Sequence, residues 1–478
     1  MSDFLLVPLL PEIFLAIVAM GLLIVGVNQG NQSTPVIASA SCGALALAVL
    51  LLLRFETSEP QVTMNGFFVL DSFSAYVKIL LLIGVLVSIA LSVHYMRQEN
   101  TMRFEYPVLI LLSTIGMMVM VSAINMLSLY LGLELQSLAL YVLAAFNRHS
   151  LRAAEAGAKY FILGALSSGM LLFGISQIYG FTGSLDFSQI AQAVGAGGMN
   201  PGIIIGMVFL LSGLAFKVSA VPFHMWTPDV YQGAMTSVTA FFAIVPKLAA
   251  MALLARLLYV AFEPAQDQWQ QILYALSLGS MIVGAFAGLV QQNIKRLLAY
   301  SSIGNMGYAL MGIVAGTPDG LGATLVYMLI YMVMTAGVFT VILNMRRGDI
   351  AVEGIDSLAG LSKTAPSMAY ALAILMFSMA GIPPLAGFFG KLFVFEAAID
   401  QELYALAIIG VLSSVVSSYY YLRIIKVMFF DEPTDALDED IPFERQAILM
   451  LSIIFVLGFI FMPDPIVSGA QNAIVSLF

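Results

Sequence analysis

Five lysines lie inside stretches that are otherwise apolar: Lys78, Lys159, Lys217, Lys247 and Lys391. The arginines lie in loops or near the ends of those stretches. The two cations differ in chemistry. Arginine stays protonated in proteins and serves only as a fixed charge. Lysine starts near a pKa of about 10.4, and burial can lower it by several units, so a buried lysine can load and unload a proton. Lys217 follows Leu214-Ala215-Phe216 just before Pro222, and Lys247 follows Val245-Pro246; neither has an easy route to an interface. Glu134, inside Leu133-Glu134-Leu135, is the expected carboxylate partner for one of these lysines. A Glu–Lys pair titrates as a unit, so loading one site shifts its neighbour. For each group the static alternative is a permanent salt bridge, but ionisable residues inside a membrane mark ion pathways as a rule.

Four further positions carry weaker signals. Lys391 follows a glycine- and proline-rich interruption and is expected past the midplane, in the outer half, as an exit-side site; outward snorkelling beside Glu396 is its alternative. Lys159 lies near the inner end of its span, and Lys78, near an outer end, is expected to snorkel. His224, in Val221-Pro222-Phe223-His224, has an imidazole suited to relay between lysines, with a hydrogen-bonded structural role as the alternative. Tyr300-Ser301-Ser302-Ile303-Gly304-Asn305 forms a polar patch able to hold a water chain, although serines also bond back to helix carbonyls. The 28 methionines and the aromatic residues are expected to pack or face lipid.

The elements that position these residues are long apolar helices. Hydrophobic residues make up 60% and charged residues 10% of the 478-residue chain, far below the roughly 25% charge of soluble domains, so the expected solvent is lipid. The single cysteine, Cys42, allows neither a disulfide nor an iron–sulfur cluster within the chain. His94 and His149 fall at helix ends and do not suggest a pair of haem ligands; no redox cofactor or metal site is expected. Most of the net charge of −9 sits in short loops and one acidic run, Asp431 to Glu444, so no nucleic-acid partner is expected. The opening residues lack a basic region and a cleavage site and read as a first span.

The apolar pattern predicts an all-α polytopic membrane protein with about fourteen spans: 4–26, 36–54, 72–94, 106–122, 124–146, 158–180, 202–231, 234–260, 271–291, 295–315, 320–344, 366–397, 402–428 and 446–467. Basic residues set the orientation. With the N-terminus outside, Arg97, Arg103, Arg148, Arg152, Lys295, Arg296, Arg346, Arg347, Lys363, Lys426 and Arg445 fall inside, against Arg54 and Arg256 outside. Both termini are then expected on the outer side. Spans 202–231 and 366–397 carry Pro222 and Pro228, and Gly381-Ile382-Pro383-Pro384, and both are expected to be broken helices. Lipid tolerates a broken backbone only where protein or a wet cavity covers it. Paired interruptions suggest inverted repeats around a transport path, here approximately 106–260 and 271–428 within one transmembrane domain of residues 1–478.

Together these features resemble the antiporter-like membrane subunits of respiratory complex I. The resemblance rests on the mid-helix Glu134, lysines in spans seven and eight, two broken helices, Val-Pro-Phe-His-Met-Trp-Thr-Pro-Asp at 221–229, Lys-Arg-Leu-Leu-Ala-Tyr-Ser-Ser at 295–302, and Gly-Ile-Pro-Pro-Leu-Ala-Gly-Phe at 381–388. It covers nearly the whole chain. The absence of a long lateral helix after span fourteen sets the chain apart from the largest member, and a lysine at 391 from the middle one. The resemblance implies a proton-translocating membrane-arm subunit of a bacterial NADH:quinone oxidoreductase. Glu134, Lys217, Lys247 and Lys391 would form its path, supported by Lys159 and His224. It also implies a bacterial inner-membrane location, a neighbouring antiporter-like subunit, and flavin and iron–sulfur clusters in partner subunits only. Several relatives carry histidine where this chain has Asn305, which makes a bridging water the expected connection there. Two rival readings share the helix framework: a subunit of a multi-subunit Mrp-type cation/proton antiporter or membrane-bound hydrogenase, and a structural spacer, which five intramembrane lysines disfavour.

Overall fold

A computed structural model describes residues 6–57, 59–197, 200–348, 350–433, 437–438 and 441–478. Residues 4–5 of the first expected span, and residues 434–436 and 439–440 of the acidic run, lie outside the described residues.

Helix starts follow local capping chemistry. Asp71 caps Ser72–Gln98 by accepting from the Ser74 backbone, and Ser74 returns a bond to the Asp71 backbone. Asn125, Ser150, Asn200, Asn293 and Thr317 cap Met126–Ala144, Leu151–Thr182, Pro201–Val218, Ile294–Val314 and Pro318–Leu343 in similar ways. Each side-chain oxygen takes a backbone N–H that helix geometry leaves unpaired, and in lipid such pairing is close to obligatory.

In chain order the helices are α1 (Leu10–Gln29), α2 (Thr34–Leu52), α3 (Ser72–Gln98), α4 (Glu105–Val121), α5 (Met126–Ala144), α6 (Leu151–Thr182), α7 (Phe187–Gly197), α8 (Pro201–Val218), α9 (Trp226–Gly233) and α10 (Thr236–Ile244). They continue with α11 (Pro246–Arg256), α12 (Gln266–Leu289), α13 (Ile294–Val314), α14 (Pro318–Leu343), α15 (Leu361–Thr364), α16 (Pro366–Ala380), α17 (Ala386–Asp400), α18 (Tyr404–Phe430), α19 (Phe443–Gly458) and α20 (Asp464–Ile474). Eleven segments are long and apolar enough to cross a membrane, and one of them, Val7–Leu52, contains both α1 and α2. The shorter apolar α4 and the pair α16–α17 bring the expected crossings to fourteen among the described residues.

Both predicted breaks are present. α8 stops at Val218 with Ser219 left-handed at φ 65°, and α9 begins at Trp226. α16 stops at Ala380 with Gly381 left-handed at φ 87°, and α17 begins at Ala386. A third break was not expected. Span 234–260 divides at Val245 into α10 and α11, because Pro246 has no N–H to continue the ladder; Leu257–Ala261 then forms a wider turn. The last span also ends early. The helix from Phe443 finishes at Phe461, and α20 is a separate amphipathic helix packed on α3 and α14. The two-stranded ribbons Gln61–Thr63/Phe68–Leu70 and Arg346–Arg347/Ile350–Ala351 are the only strand pairs among the described residues.

The core runs through α10–α11, α13 and α14, which are buried almost throughout, while α1, α2, α6, α18 and α19 face outward. Two glycine contacts draw site-bearing helices close. A side chain on Gly284 of α12 would collide with the Gly304 backbone of α13, and one on Gly116 of α4 with the Gly132 and Gln136 backbones of α5. The first contact seats the helix with Ser301, Ser302 and Asn305; the second seats the helix with Glu134.

Candidate functional site

Lys217, in the last turn of α8, is buried, and its Nζ donates to the Ser137 hydroxyl at 2.7 Å and the Tyr141 hydroxyl at 3.3 Å. Ser137 and Tyr141 share one face of α5 with Glu134, at helical spacing. The expected direct Glu–Lys pair is not found. Among the described residues no ion pair joins Glu134 to a lysine; its carboxylate accepts from Ser168 of α6. The Tyr141 hydroxyl neighbours both Ser137 and Ser168, so hydroxyls fill the space between carboxylate and ammonium. Small polar side chains separate the two charges while leaving each a hydrogen-bond partner.

Lys247 follows the unforeseen break and is 1% exposed. Its Nζ donates to the Ser302 hydroxyl, which also accepts from Tyr331 at 2.8 Å, and the ammonium lies 5.3 Å from the Tyr231 ring centroid. Between Lys217 and Lys247 stands an aromatic block. Tyr160 stacks on Trp226 with centroids 4.4 Å apart, Phe216 and Phe242 pack around them, and Trp226 Nε1 donates to the Phe216 carbonyl.

Lys391 does not snorkel toward Glu396. It is buried, and its Nζ turns back across the break in its own span, donating to the Met379 and Ala380 carbonyls at 3.2 and 3.0 Å and to Ser414 of α18 at 2.8 Å. Those carbonyls close α16, where the helix has run out of N–H donors and carries partial negative charge. The lysine stays buried because the break supplies acceptors that a continuous helix would have consumed.

Lys159 is partly exposed and pairs with Glu155 at 2.8 Å and Asp229 at 2.7 Å; Arg296 reaches the other oxygen of Asp229 at 2.7 Å. Arg152, Glu155, Lys159, Asp229 and Gln232 line a polar cavity of about 230 Å³ at this end of the bundle. His224 sits half-buried between α8 and α9, and among the described residues no hydrogen bond links it to a lysine. The geometry therefore sets Lys217, Lys247 and Lys391 in buried surroundings with hydroxyl partners, leaves Glu134 half-buried on the Ser168 hydroxyl, and gives His224 no hydrogen bond to a lysine among the described residues.

Lys78 is a correction. It is fully buried, paired with Glu12 of α1 at 2.6 Å and under the Phe68 ring, because α2 and α4 pack against α3 and α1 carries Glu12 to it. Arg256 is also buried at its span end, held by both oxygens of Asp71 and by the Val121 carbonyl. Lys295, placed in a loop by sequence, is buried against Glu353 and the Ala234 carbonyl. Glu12, Asp71, Asp229 and the tyrosines 308, 327, 331 and 421 were all missed. The spacing of Tyr327 and Tyr331 on one face of α14 was the available signal. Among the described residues no cluster of histidine, cysteine, aspartate or glutamate is arranged to hold a metal ion.

This architecture, a bundle of apolar helices with buried lysines beside broken backbone, is that of the antiporter-like membrane proteins: residues 123–417 match the family described as NADH:quinone oxidoreductase/Mrp antiporter, transmembrane. A solved structure of respiratory complex I from Thermus thermophilus with bound aureothin contains a chain that superposes with a TM-score of 0.83 at 31% identity, covering 97% of this chain and 99% of that one. A chain of the Mrp complex from Dietzia shares the fold at a TM-score of 0.87 and 24% identity, over 99% of this chain and 98% of its own. The NADH-quinone oxidoreductase subunit N of Parvibaculum lavamentivorans is 54% identical over 98% of this chain and 97% of its own length. The chain belongs to the NADH-quinone oxidoreductase subunit N family.

Proposed function

We infer that this chain is a membrane-arm subunit of a proton-translocating NADH–quinone oxidoreductase and moves protons across the bilayer through Glu134, Lys217, Lys247 and Lys391. The single observation that carries the reading is the line of buried lysines, each provided with hydroxyl partners but no carboxylate within ion-pair distance among the described residues. Permanent salt bridges are how a protein stores buried charge, and Lys78 and Arg256 show this chain doing so. Lysines 217, 247 and 391 are kept otherwise: solvated by Ser137, Ser302 and Ser414, free to release a proton and take one back.

Protons enter from the cytoplasm at the Lys159–Asp229 cavity, pass Lys217 and Lys247, and leave outward by way of Lys391. His224 supports the first half. The aromatic block around Tyr160 and Trp226 keeps Lys217 and Lys247 from exchanging freely, so transfer waits for a change at a neighbour. Glu134 is half-buried on an α5 surface flanked by exposed Leu131, Leu135 and Leu138, a position suited to a neighbouring antiporter-like subunit. The energy comes from quinone reduction, carried out with the flavin and iron–sulfur clusters of partner subunits. The chain is assigned to the bacterial inner membrane, and the excess of lysine and arginine in the inner loops supports an orientation with both termini outside.

The test is Lys217→Met in the assembled complex, with NADH-to-quinone electron flow and proton uptake recorded together in inverted vesicles. Loss of both in an intact complex supports the path. Normal rates in both would refute it at its centre.

A further inference from the structure

Asn305 stands on α13 one turn from Ser301 and Ser302, and its amide does not load a proton near neutral pH. Its orientation is determined by its neighbours. The Ser301 carbonyl can only accept, so the amide group facing it at 2.9 Å is the nitrogen, which also reaches the Ser301 hydroxyl at 3.2 Å. The amide oxygen is then left to accept from the Tyr327 hydroxyl at 2.7 Å. Tyr327 must donate to it, and its oxygen lone pairs remain open.

On the Lys247 side, Ser302 receives Lys247 and Tyr331, while the adjacent Ser301 pairs with the Tyr421 hydroxyl, itself a neighbour of Asn305. On the Lys391 side, the Tyr308 ring lies 6.4 Å from that of Tyr327 and 5.1 Å from the Lys391 ammonium. The Tyr308 hydroxyl neighbours Ser414, the group to which Lys391 donates. Tyr327 is thus the hydroxyl between the two clusters. Like Tyr308, Tyr331 and Tyr421, it is almost wholly buried.

We propose that Tyr327, oriented by Asn305, is the hydroxyl through which protons cross from the Lys247 half of the chain to the Lys391 half. The resting O–H first turns from Asn305 toward a water on the Lys391 side; that O–H bond then breaks as its proton passes to that water, while a proton from a water on the Lys247 side forms a new O–H bond on the phenol oxygen. The ring returns to neutral phenol with no net charge, and rotation of the new O–H onto Asn305 resets the site. Asn305 is a positioning residue: it holds the resting O–H in one direction and leaves the other face of the oxygen free. The proposal rests on the relay reading above.

Tyr327→Phe keeps the ring and its packing and removes only the hydroxyl. In the assembled complex in inverted vesicles it is expected to lower proton uptake and coupled NADH oxidation by about tenfold or more. It is also expected to enlarge the solvent isotope effect on uptake, which a packing defect would not do. Asn305→His in the Tyr327→Phe background puts a titratable imidazole at the same junction and is expected to restore most of the uptake. Should Tyr327→Phe fail to assemble, Asn305→Ala, which removes the acceptor, is expected to give the same loss. Normal uptake in an assembled Tyr327→Phe complex overturns the proposal, as does failure of Asn305→His to restore it. Lys247→Met separates the two levels. If it abolishes uptake while Tyr327→Phe does not, the crossing is wrong and the relay stands; if both are silent, the relay itself fails.

Discussion

Lys391 hydrogen-bonds the Ala380 carbonyl from the far side of the break in its own span, so one side chain both closes α16 and supplies a buried ammonium. Removing the two functions separately gives a first prediction. Lys391→Met strips the Met379 and Ala380 carbonyls of a donor, at about 1–3 kcal/mol each, and is expected to lower both the thermal stability of the complex and its proton uptake. Lys391→Arg retains donors and charge but cannot release a proton. It should keep the melting temperature near that of the unaltered complex while abolishing uptake; uptake near normal in the arginine variant would assign Lys391 a structural role alone.

The contact between Lys217 and Ser137 leads to a second prediction. Ser137 is the nearest hydrogen-bond partner of Lys217 and sits on the helix face that carries Glu134. Ser137→Ala should slow proton uptake by about tenfold with little change in assembly, and Ser137→Thr, which keeps the hydroxyl, should be close to normal. Equal behaviour of the two variants in the vesicle assay would count against a hydroxyl link between Glu134 and Lys217.

Asp71 and Arg256 form a buried pair that also caps α3, outside the proposed path. Asp71→Asn leaves the guanidinium without its carboxylate, at about 3–5 kcal/mol. The amount of assembled complex and its melting temperature should fall, whereas NADH-driven uptake per assembled complex should stay unchanged. A loss of uptake with normal assembly would instead bring this pair into the path.

Glu12 and Lys78 are coupled in the same way across α1 and α3. Glu12→Leu or Lys78→Met alone should each destabilise the complex by roughly 3–5 kcal/mol, because each strands a buried charge. The double variant should recover most of that loss. Additive losses, read as melting temperatures around the full double-mutant cycle, would show that the two residues do not depend on each other.

Much of the architecture was legible in the residues because lipid is an unforgiving solvent. A span must be about twenty apolar residues, and proline or a glycine–proline run inside one must break it. The fourteen crossings and the breaks at Pro222 and Gly381 follow from those two constraints. The Val245 break was missed because a single proline inside an apolar run reads equally as a mild kink. The intramembrane lysines stood out for the same reason as the spans: a charge among leucines is conspicuous at any position along the chain.

Partnership could not be read in that way. Lys78 and Lys217 look alike in sequence, each a lone cation in an apolar stretch, yet one is locked to Glu12 and the other rests on Ser137 and Tyr141. Which of them is held in an ion pair depends on residues 66 and 80 positions away, brought near by helix packing. Glu134 was expected to pair with one of the lysines; it accepts from Ser168 instead, while Lys217 donates to Ser137 and Tyr141. The sequence by itself determined that this chain lies in a membrane, crosses it many times and carries protonatable groups at depth, because each of those follows from the solubility of individual side chains. Only the tertiary structure decided which charges are stored as ion pairs and which are left on hydroxyls, because a buried charge takes its role from what the neighbouring helices place within about 3 Å of it.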